Sequence, residues 1–243
     1  MCKTSALKDE LPLQVTPPLI EILYQDEYIV AINKPYGYFV HKSSLDATSD
    51  KIIMYLLRDQ LGQKVFPAHR LDRKTSGVLL FALDQETHKA LSIDFQERKV
   101  EKRYQAIVRG HTPLNGTIDH PLIDEKGRDK EATTHFTTIQ HGEIPLSSNP
   151  KFKTSRYSLI DINPETGRMH QIRRHMSHIF HPIIGDRPHG CNKQNRFFLE
   201  NFQFSEMLLH AYMLKFWHPV SEIELILEAH MSQEFKRMKS VLF

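Results

Sequence analysis

Cysteine is scarce in this chain of 243 residues, which contains only Cys2 and Cys191. The first lies in a predicted tail and the second in a predicted loop, so we expect no disulfide framework and a reducing cytoplasm. Long apolar runs are also missing, since none reaches the roughly 20 residues that a membrane-spanning helix needs. The first ten residues lack the apolar stretch of a secretory signal. We therefore expect a cytoplasmic protein that has no membrane partner.

A strong excess of charge of either sign is absent as well. The formal net charge is +3 and the sequence pI is about 8.7, which is compatible with nucleic-acid binding but does not indicate it. The distribution is more informative, because basic side chains concentrate in one short region: Arg168, His170, Arg173, Arg174, His175, His178, His181 and Arg187. The sequence therefore predicts a local positive site rather than a uniformly basic surface.

The order of apolar and polar runs predicts the α+β class. Residues 1–18 are polar and predict a loosely held tail, and residues 19–243 predict one domain. Strands are predicted at 20–24, 28–32, 65–71, 78–83, 103–108, 132–139, 157–162, 208–216 and 222–227. Helices are predicted after Ser49 or Asp50, after Asp84 with Arg98 and Lys99 in its last turn, after Gly167, and at the C-terminus, with an exposed loop at 142–155. Strands and helices mix without strict alternation.

A first polar cluster runs from His69 to Gly77, between two apolar segments. If the preceding strand continues through Asp72, then Arg70 and Asp72 point to the same face, because side chains alternate along a strand. Arg73 and Lys74 add positive charge directly after the acid. Taken alone, the same residues fit a surface turn with solvated ion pairs, and that alternative remains open.

A second cluster follows Thr166, in a predicted helix whose apolar stripe is Met169, Ile172, Met176 and Ile179. His170 and Arg173 are three residues apart and therefore share a face beside that stripe. They could meet a ligand or a carboxylate at the edge of the core. The alternative is an amphipathic helix with a basic face in solvent.

The histidines raise the question of a metal site. His175, His178 and His181 are spaced by three, and Asp186 follows. Helical zinc sites typically have two histidines four residues apart with an acid between them, and Pro182 ends the helix too early for such an arrangement. We therefore expect no metal ligands here, although a metal-dependent hydrolase remains a competing hypothesis.

These clusters occur in an order that resembles the RluA-type family of pseudouridine synthases. The resemblance covers roughly residues 19–228, and ordered matches are more specific than any single motif. The matching segments are 24–41 with Asn33-Lys34-Pro35, the signature 69–77, the strand around Tyr104, the segments 166–175 and 181–186, and Leu209-His210-Ala211. One departure is Phe180, where most of the wider family has glycine.

The resemblance implies a catalytic domain with a mixed, largely antiparallel bent sheet flanked by helices and loops. It assigns the catalytic carboxylate to Asp72 and a charge-pairing partner to Arg173. Tyr104 would stack on the flipped uracil and help to remove the C5 proton. Arg70 would fill the space that the base leaves in the RNA. The remaining expected RNA-binding residues are Arg73, Lys74, Arg168, His170 and Arg174.

Within the family the chain resembles a subgroup that modifies tRNA. The similarity lies in His189, in Gln194-Asn195-Arg196 and in 65–68. It implies isomerisation of the T-stem uridine beside the acceptor stem, uridine 65, by a monomer without an S4-type module, cofactor, metal or obligate protein partner. The alternatives are a ribosomal RNA substrate and a noncatalytic RNA-binding protein, which would need the basic face but not Asp72.

Overall fold

The computed structural model describes residues 19–42 and 51–243. Its strands are β1 (Ile22–Gln25), β2 (Ile29–Lys34), β3 (Phe66–Pro67), β4 (Ser76–Ala82), β5 (Glu101–Arg109), β6 (Asn115–Asp119), β7 (Leu122–Ile123), β8 (Asp129–Lys130), β9 (Thr133–Ile144), β10 (Ser155–Pro164), β11 (Leu209–Trp217) and β12 (Glu224–Glu228). Its helices are α1 (Ile53–Leu61), α2 (Gln85–Gln96), α3 (Gln171–His178), α4 (Asn192–Phe202) and α5 (Gln233–Leu242). The predicted tail 1–18 and the predicted helix caps Ser49 and Asp50 lie outside the described residues.

One large sheet organises the domain and confirms the predicted α+β class. Its strand order is β1-β2-β4-β11-β5-β10-β9-β6, with β3 paired to β4 and β12 paired to β11. Every described pair in it is antiparallel except β4 with β11, which run parallel beside each other at Gly77 and Ala211. A Cβ atom at Gly77 would lie 2.0 Å from the carbonyl oxygen of Ala211, so only glycine allows this approach. The first polar cluster lies between β3 and β4. Since β3 pairs with β4 and β4 pairs with β11, both strands belong to the central part of the sheet.

The apolar run of β2 is buried because both faces of the sheet are covered there. Val30 and Ile32 pack on the side of α1, whereas Ile29 and Ala31 pack with Leu91 of α2 on the other. Residues two apart in a strand share a face, so one continuous apolar run supplies both layers. The predicted cap of α2 is also confirmed, since the Asp84 carboxylate accepts a hydrogen bond from the backbone N–H of Thr87 at 2.8 Å.

The predicted strand 65–71 is wrong beyond Pro67. Phe66 and Pro67 pair with β4, the Ala68 N–H still donates to the Leu80 carbonyl at 2.9 Å, and the chain then continues as a loop up to Ser76. The imidazole of His69, not its backbone, accepts the next N–H of β4, that of Leu80, at 3.1 Å. Asp72 therefore belongs to a loop, and the predicted alternation of Arg70 and Asp72 along a strand does not apply.

Other boundaries also differ from the sequence pattern. Helix α2 ends at Gln96, so Arg98 and Lys99 lie beyond its last turn, and Arg98 takes the left-handed φ of 61°. Strand β9 extends through Ile144, which reduces the predicted loop 142–155 to residues 145–154. Within this extension, Gly142 lets the end of α5 approach the strand, because a Cβ there would lie 2.0 Å from the Leu242 carbonyl oxygen. Helix α4 and strands β6, β7 and β8 were not expected.

Candidate active site

A pocket of about 210 Å³ opens where the loop after β3, strand β5 and the segment before α3 meet. Its walls include Asp72 from the loop, Tyr104 from β5, and His170 and Arg173 from the start of α3. Segments far apart in sequence thus contribute to one cavity. The two basic clusters, 69–77 and 166–175, lie on facing walls of this cavity, although each alone fits an ordinary solvent-exposed surface.

A buried ion network forms the floor of this pocket. The Arg173 guanidinium donates to both oxygens of Asp186 at 2.8 Å, and its Nη1 donates to Oδ2 of Asp72 at 2.9 Å. The side chains of Arg173 and Asp186 are 5% and 1% exposed, against 21% for Asp72. Burial opposes the charge of Arg173, but the hydrogen bonds with Asp186 and Asp72 outweigh it and raise its pKa. Asp186 thus fixes the arginine, and the arginine orients the carboxylate of Asp72, which lines the cavity.

The loop that carries Asp72 is fixed by hydrogen bonding to the side chain of Lys34. This lysine is fully buried, and its ammonium group donates to the carbonyl oxygens of Pro35, Tyr38 and Arg73 at 2.9–3.2 Å. Burial lowers the pKa of Lys34 to about 7, while the negative charge of Asp72 opposes the shift. The lysine therefore ties the segment after β2 to the Asp72 loop.

The segment before α3 is fixed by the side chain of Gln171. Its Oε1 accepts from the Thr166 hydroxyl at 2.6 Å and from the Arg168 backbone N–H at 3.0 Å, and its Nε2 donates to the Thr133 carbonyl at 3.0 Å. The helix starts only at Gln171, so Met169 precedes it and does not join the predicted buried stripe. Met169 is 46% exposed and borders the pocket.

Tyr104 lies on β5, paired with Ile162 of β10 and Ala211 of β11. It is half-buried and presents its ring to the pocket. Burial and the charge of Asp72 raise the pKa of its phenol well above the ordinary value. At neutral pH the side chain is therefore a protonated phenol, which offers an aromatic face and an O–H donor rather than a phenolate.

His170 lies near the same carboxylate oxygen of Asp72 that Arg173 binds. Its Nε2 lies 3.9 Å from Oδ2 of Asp72, and its Nδ1 is 3.0 Å from Nε2 of His189. Burial lowers the pKa of both imidazoles. The predicted proximity of His170 and Arg173 to a carboxylate is confirmed, and Asp72 is that carboxylate.

The other predicted RNA-binding residues separate into two groups. Arg70 and Arg168 are exposed at the pocket mouth, and Arg168 donates to the Glu131 carbonyl at 3.1 Å. Arg174 is half-buried and donates to the Ile123 carbonyl at 3.0 Å.

Arg73 and Lys74 follow Asp72 in the same loop. Arg73 donates to the Gly37 carbonyl at 3.1 Å and places its guanidinium over the Phe39 ring, 4.7 Å from its centroid. Burial, with the charges of Arg187 and Arg173, lowers the pKa of Lys74. The structure thus brings Arg70 and Arg168 to the pocket and gives Arg73 a contact with the segment after β2.

His175, His178 and His181 make structural contacts with neighbouring segments. The ring of His175 bonds to the carbonyl of His120 at 3.0 Å, and His178 stacks on His120 with centroids 3.9 Å apart. His181 bonds to the Arg109 carbonyl at 2.9 Å. Within residues 19–42 and 51–243, no group of three or more potential metal ligands is arranged to hold an ion.

Sequence reasoning did not assign roles to Asp186, Lys34 and His189. All three lie in segments that resemble the family or its subgroup, so the sequence marked these segments as relevant. It did not show which side chains in them point into the site. The Asn195 amide explains the position of Asp186, because it accepts from the Gly185 N–H at 3.0 Å and donates to the Asp186 carbonyl at 2.7 Å.

The described residues also contain no helix that is long and apolar enough to cross a membrane.

Comparisons with known proteins find relatives that match most of the chain. The chain is 45% identical over 235 residues to tRNA pseudouridine synthase C of Vibrio parahaemolyticus, covering 92% of this chain and 95% of that protein. It is 43% identical to tRNA pseudouridine synthase C of Yersinia pestis, covering 91% and 90%.

Solved structures confirm the fold. Human RNA Pseudouridylate Synthase Domain Containing 1 superposes with a TM-score of 0.68 at 22% identity, covering 93% of this chain and 97% of that one. Human RNA Pseudouridylate Synthase Domain Containing 4 gives 0.67 at 25% identity, with 89% and 90% covered. A family model described as RNA pseudouridylate synthase matches residues 28–178. The chain therefore belongs to the RNA pseudouridylate synthase family, of the RluA type, and is a pseudouridine synthase.

Proposed function

We propose that the protein isomerises one uridine of tRNA, with Asp72 as the essential carboxylate. The observation that carries the proposal is the position of Asp72 at the pocket, where Arg173 holds one oxygen at 2.9 Å and is itself held by Asp186. A carboxylate oriented in this way is preorganised for a developing positive charge. The metal-dependent hydrolase lacks a corresponding set of ligands in the described part of the chain.

The chemistry requires such a group. Isomerisation breaks the bond from uracil N1 to the ribose carbon C1′, rotates the base, and joins C5 to the same carbon. Breaking the bond develops oxocarbenium-like charge on the sugar, which a carboxylate stabilises or traps, as in retaining glycosidases. Three roles for Asp72 remain open: it attacks the sugar, attacks the base or removes a sugar proton.

The uridine must leave its stack before it can react. Extrusion of a base costs a few kcal/mol, which contacts to the vacated site and to the flipped base offset. Arg70, exposed at the pocket mouth, would fill the vacated site, and the Tyr104 ring would stack on the uracil. A neighbouring groove of about 510 Å³ shares Arg70, Tyr104 and Arg168 with the pocket and adds Lys102 and Arg98. Its positive lining suits the RNA backbone.

The tRNA assignment rests on the relatives named tRNA pseudouridine synthase C. Within tRNA we propose the T-stem uridine beside the acceptor stem, uridine 65. A uridine at a junction of stacked stems should cost less to flip than one deep in a long helix. The enzyme would act as a cytoplasmic monomer without cofactor, and residues 19–243 would form its catalytic domain.

The deciding experiment has two arms. Purified protein is incubated with unmodified tRNA, and pseudouridine is mapped by position. In parallel, the gene is deleted and all stable RNAs are mapped. We expect a new pseudouridine at the T-stem position in the first arm and loss of the same modification in the second. Loss of a ribosomal site with the tRNA site unchanged would assign the enzyme to ribosomal RNA. Binding of tRNA without any modification would leave a noncatalytic RNA-binding protein.

A further inference from the structure

A groove of about 390 Å³ that the proposed reaction does not use lies where the end of β5, the loop 145–154 and the start of α4 meet. Three exposed cationic side chains line it, those of Arg109, Arg156 and Lys193, and the described residues of its lining include no carboxylate. A cleft lined by charge of one sign concentrates ligands of the opposite sign. The groove therefore suits an anionic partner.

The loop 145–154 adds an aromatic ring to these charges. Lys151, Phe152 and Lys153 are consecutive and exposed, and Phe152, which borders the groove, is 64% exposed. An exposed ring among cations is the combination that binds single-stranded nucleic acid, because bases stack on the ring while the cations follow the phosphates. The chemistry of the surface thus indicates RNA rather than a small anion.

Hydrogen bonds fix the loop that carries this ring. The Phe152 N–H donates to the Asn149 carbonyl at 2.9 Å, and the Lys151 N–H donates to Oδ1 of Asn149 at 3.1 Å. The Ser148 N–H donates to the hydroxyl of Ser155, at the start of β10, at 2.9 Å. Polar contacts therefore order the loop without burying Phe152. A preordered surface loses less conformational entropy when a partner binds.

Two parts of the fold connect the groove to the catalytic pocket. Strand β5 carries Tyr104 at the pocket and Arg109 at the groove, five residues along the strand or about 17 Å. Helix α3 begins at the pocket, and beyond its C-terminal end the His181 ring bonds to the Arg109 carbonyl at 2.9 Å. One turn of a nucleic-acid duplex is about 34 Å long, so one RNA molecule is large enough to occupy both sites.

We propose that this groove is a second RNA contact, which binds unpaired nucleotides of the substrate outside the catalytic pocket. Phe152 stacks on one base, and Arg109 and Lys193 bind the adjoining phosphates. Arg156 contributes less, because it already pairs with Glu143 at 3.2 Å. The proposal rests on the proposed function, since it takes the RNA that enters the pocket as the ligand of the groove.

The stacking contact decides in favour of unpaired nucleotides. A base inside a duplex has both faces covered by its neighbours, whereas a base in a loop or at an end is free to stack on an aromatic ring. Such stacking tolerates every base, so the groove recognises a single-stranded position rather than a sequence. Two linked contacts bind more tightly than either alone only when the RNA spans the distance between them. The enzyme would thus select a uridine by its distance from unpaired nucleotides.

The test separates stacking from charge. Phe152→Ala removes the ring and Phe152→Tyr keeps an aromatic face, while Arg109→Gln combined with Lys193→Gln removes two charges. The matched controls are Trp217→Ala, at an exposed ring outside the groove, and Arg237→Gln on α5. The affinity is measured for unmodified tRNA and for a blunt duplex that contains the target uridine but no unpaired nucleotide. The values of kcat and KM are measured with tRNA.

We expect Phe152→Ala to weaken tRNA binding about 5- to 150-fold, as the loss of one base stack does, and to bind the duplex as the wild type does. Phe152→Tyr should bind tRNA as the wild type does. The variant without the two charges should decrease the slope of log affinity against log salt by about 0.7 for each lost phosphate contact. In both cases KM should rise and kcat should not change, because the groove is remote from Asp72.

Two results would overturn the proposal. One is wild-type affinity for tRNA in Phe152→Ala or in the variant without the two charges, which would assign the groove to another anionic partner, such as an acidic protein segment. The other is an equal loss of affinity for tRNA and for the duplex in Phe152→Ala. Failure of the proposed function is detected separately, since a wild-type protein that binds tRNA in the groove but forms no pseudouridine would contradict only the catalytic assignment.

Discussion

The floor of the pocket and its rim use the same residue types in opposite ways. The floor consists of Asp72, Arg173 and Asp186. The rim consists of Arg70 and Arg168 at the pocket mouth and Arg174 in the adjoining groove that Arg168 also lines. Arg173 and Arg174 are sequence neighbours, yet the Arg173 side chain is 5% exposed and binds two carboxylates, whereas Arg174 donates to a backbone carbonyl at the surface. A buried charge needs matched partners to offset the loss of hydration, whereas a surface charge keeps its water. The floor can therefore orient a reacting group, and the rim can exchange water and counterions for phosphates.

The most severe test of the floor is Asp72→Asn, which removes charge at nearly constant volume. We expect turnover to be abolished while the fold and tRNA affinity are largely retained, because only the chemical step depends on the carboxylate. Pseudouridine formation under single-turnover conditions measures the effect, with Asp59→Asn, in an exposed pair with Arg58, as the matched control. A variant that keeps a tenth of wild-type activity would contradict the assignment.

Asp186→Asn tests how far the floor depends on paired burial. It leaves the Arg173 guanidinium with one carboxylate instead of two, and breaking a buried pair typically costs about 3–5 kcal/mol. We expect a decrease of that size in the free energy of unfolding, measured by urea denaturation, and a large decrease in kcat because Asp72 loses its orientation. Glu143→Gln, which breaks an exposed pair with Arg156, should leave the free energy of unfolding nearly unchanged, because solvent screens that pair. Equal effects of the two substitutions would remove the distinction between buried and exposed pairs.

Arg174→Gln tests the rim. If this side chain contacts a phosphate, tRNA affinity should weaken and the slope of log affinity against log salt should decrease by about 0.7–0.9. The rate at saturating tRNA should not change, and stability should remain within about 0.5 kcal/mol. Filter binding across a salt series measures the slope, with Arg237→Gln on α5, which pairs with Glu234, as the control. A lower saturated rate with an unchanged salt slope would place Arg174 with the floor instead.

The smallest expected effect is that of a chelator. Neither the floor nor the rim supplies a recognisable metal site in the described part of the chain, so activity should survive EDTA and need no added cofactor. Metal analysis of the purified protein is the second measurement. Stoichiometric zinc that is lost together with activity would favour the hydrolase hypothesis.

Local signals predicted much of the scaffold. The apolar run of β2, the Asp84 cap and the strand that carries Tyr104 were predicted because each depends on periodicity or on a hydrogen bond within a few residues. The same reasoning predicted a strand at 65–71, with Arg70 and Asp72 on one face if the strand continued, and placed Met169 in the core. Both errors arise at the pocket, where side-chain hydrogen bonds, such as those of Gln171 to Thr133 and of His69 to Leu80, replace regular backbone pairing.

The sequence by itself determined the α+β class, the central strands and, through the resemblance of its ordered motifs, the family and the candidate carboxylate Asp72. Only the tertiary structure decided which of two adjacent arginines is buried, that Asp186 lies behind it, and that His170 meets His189 beside Asp72. A sequence pattern does not distinguish a buried arginine from an exposed one. Their roles differ because burial and partner charges depend on segments about a hundred residues away, as with Asp72 and Arg173.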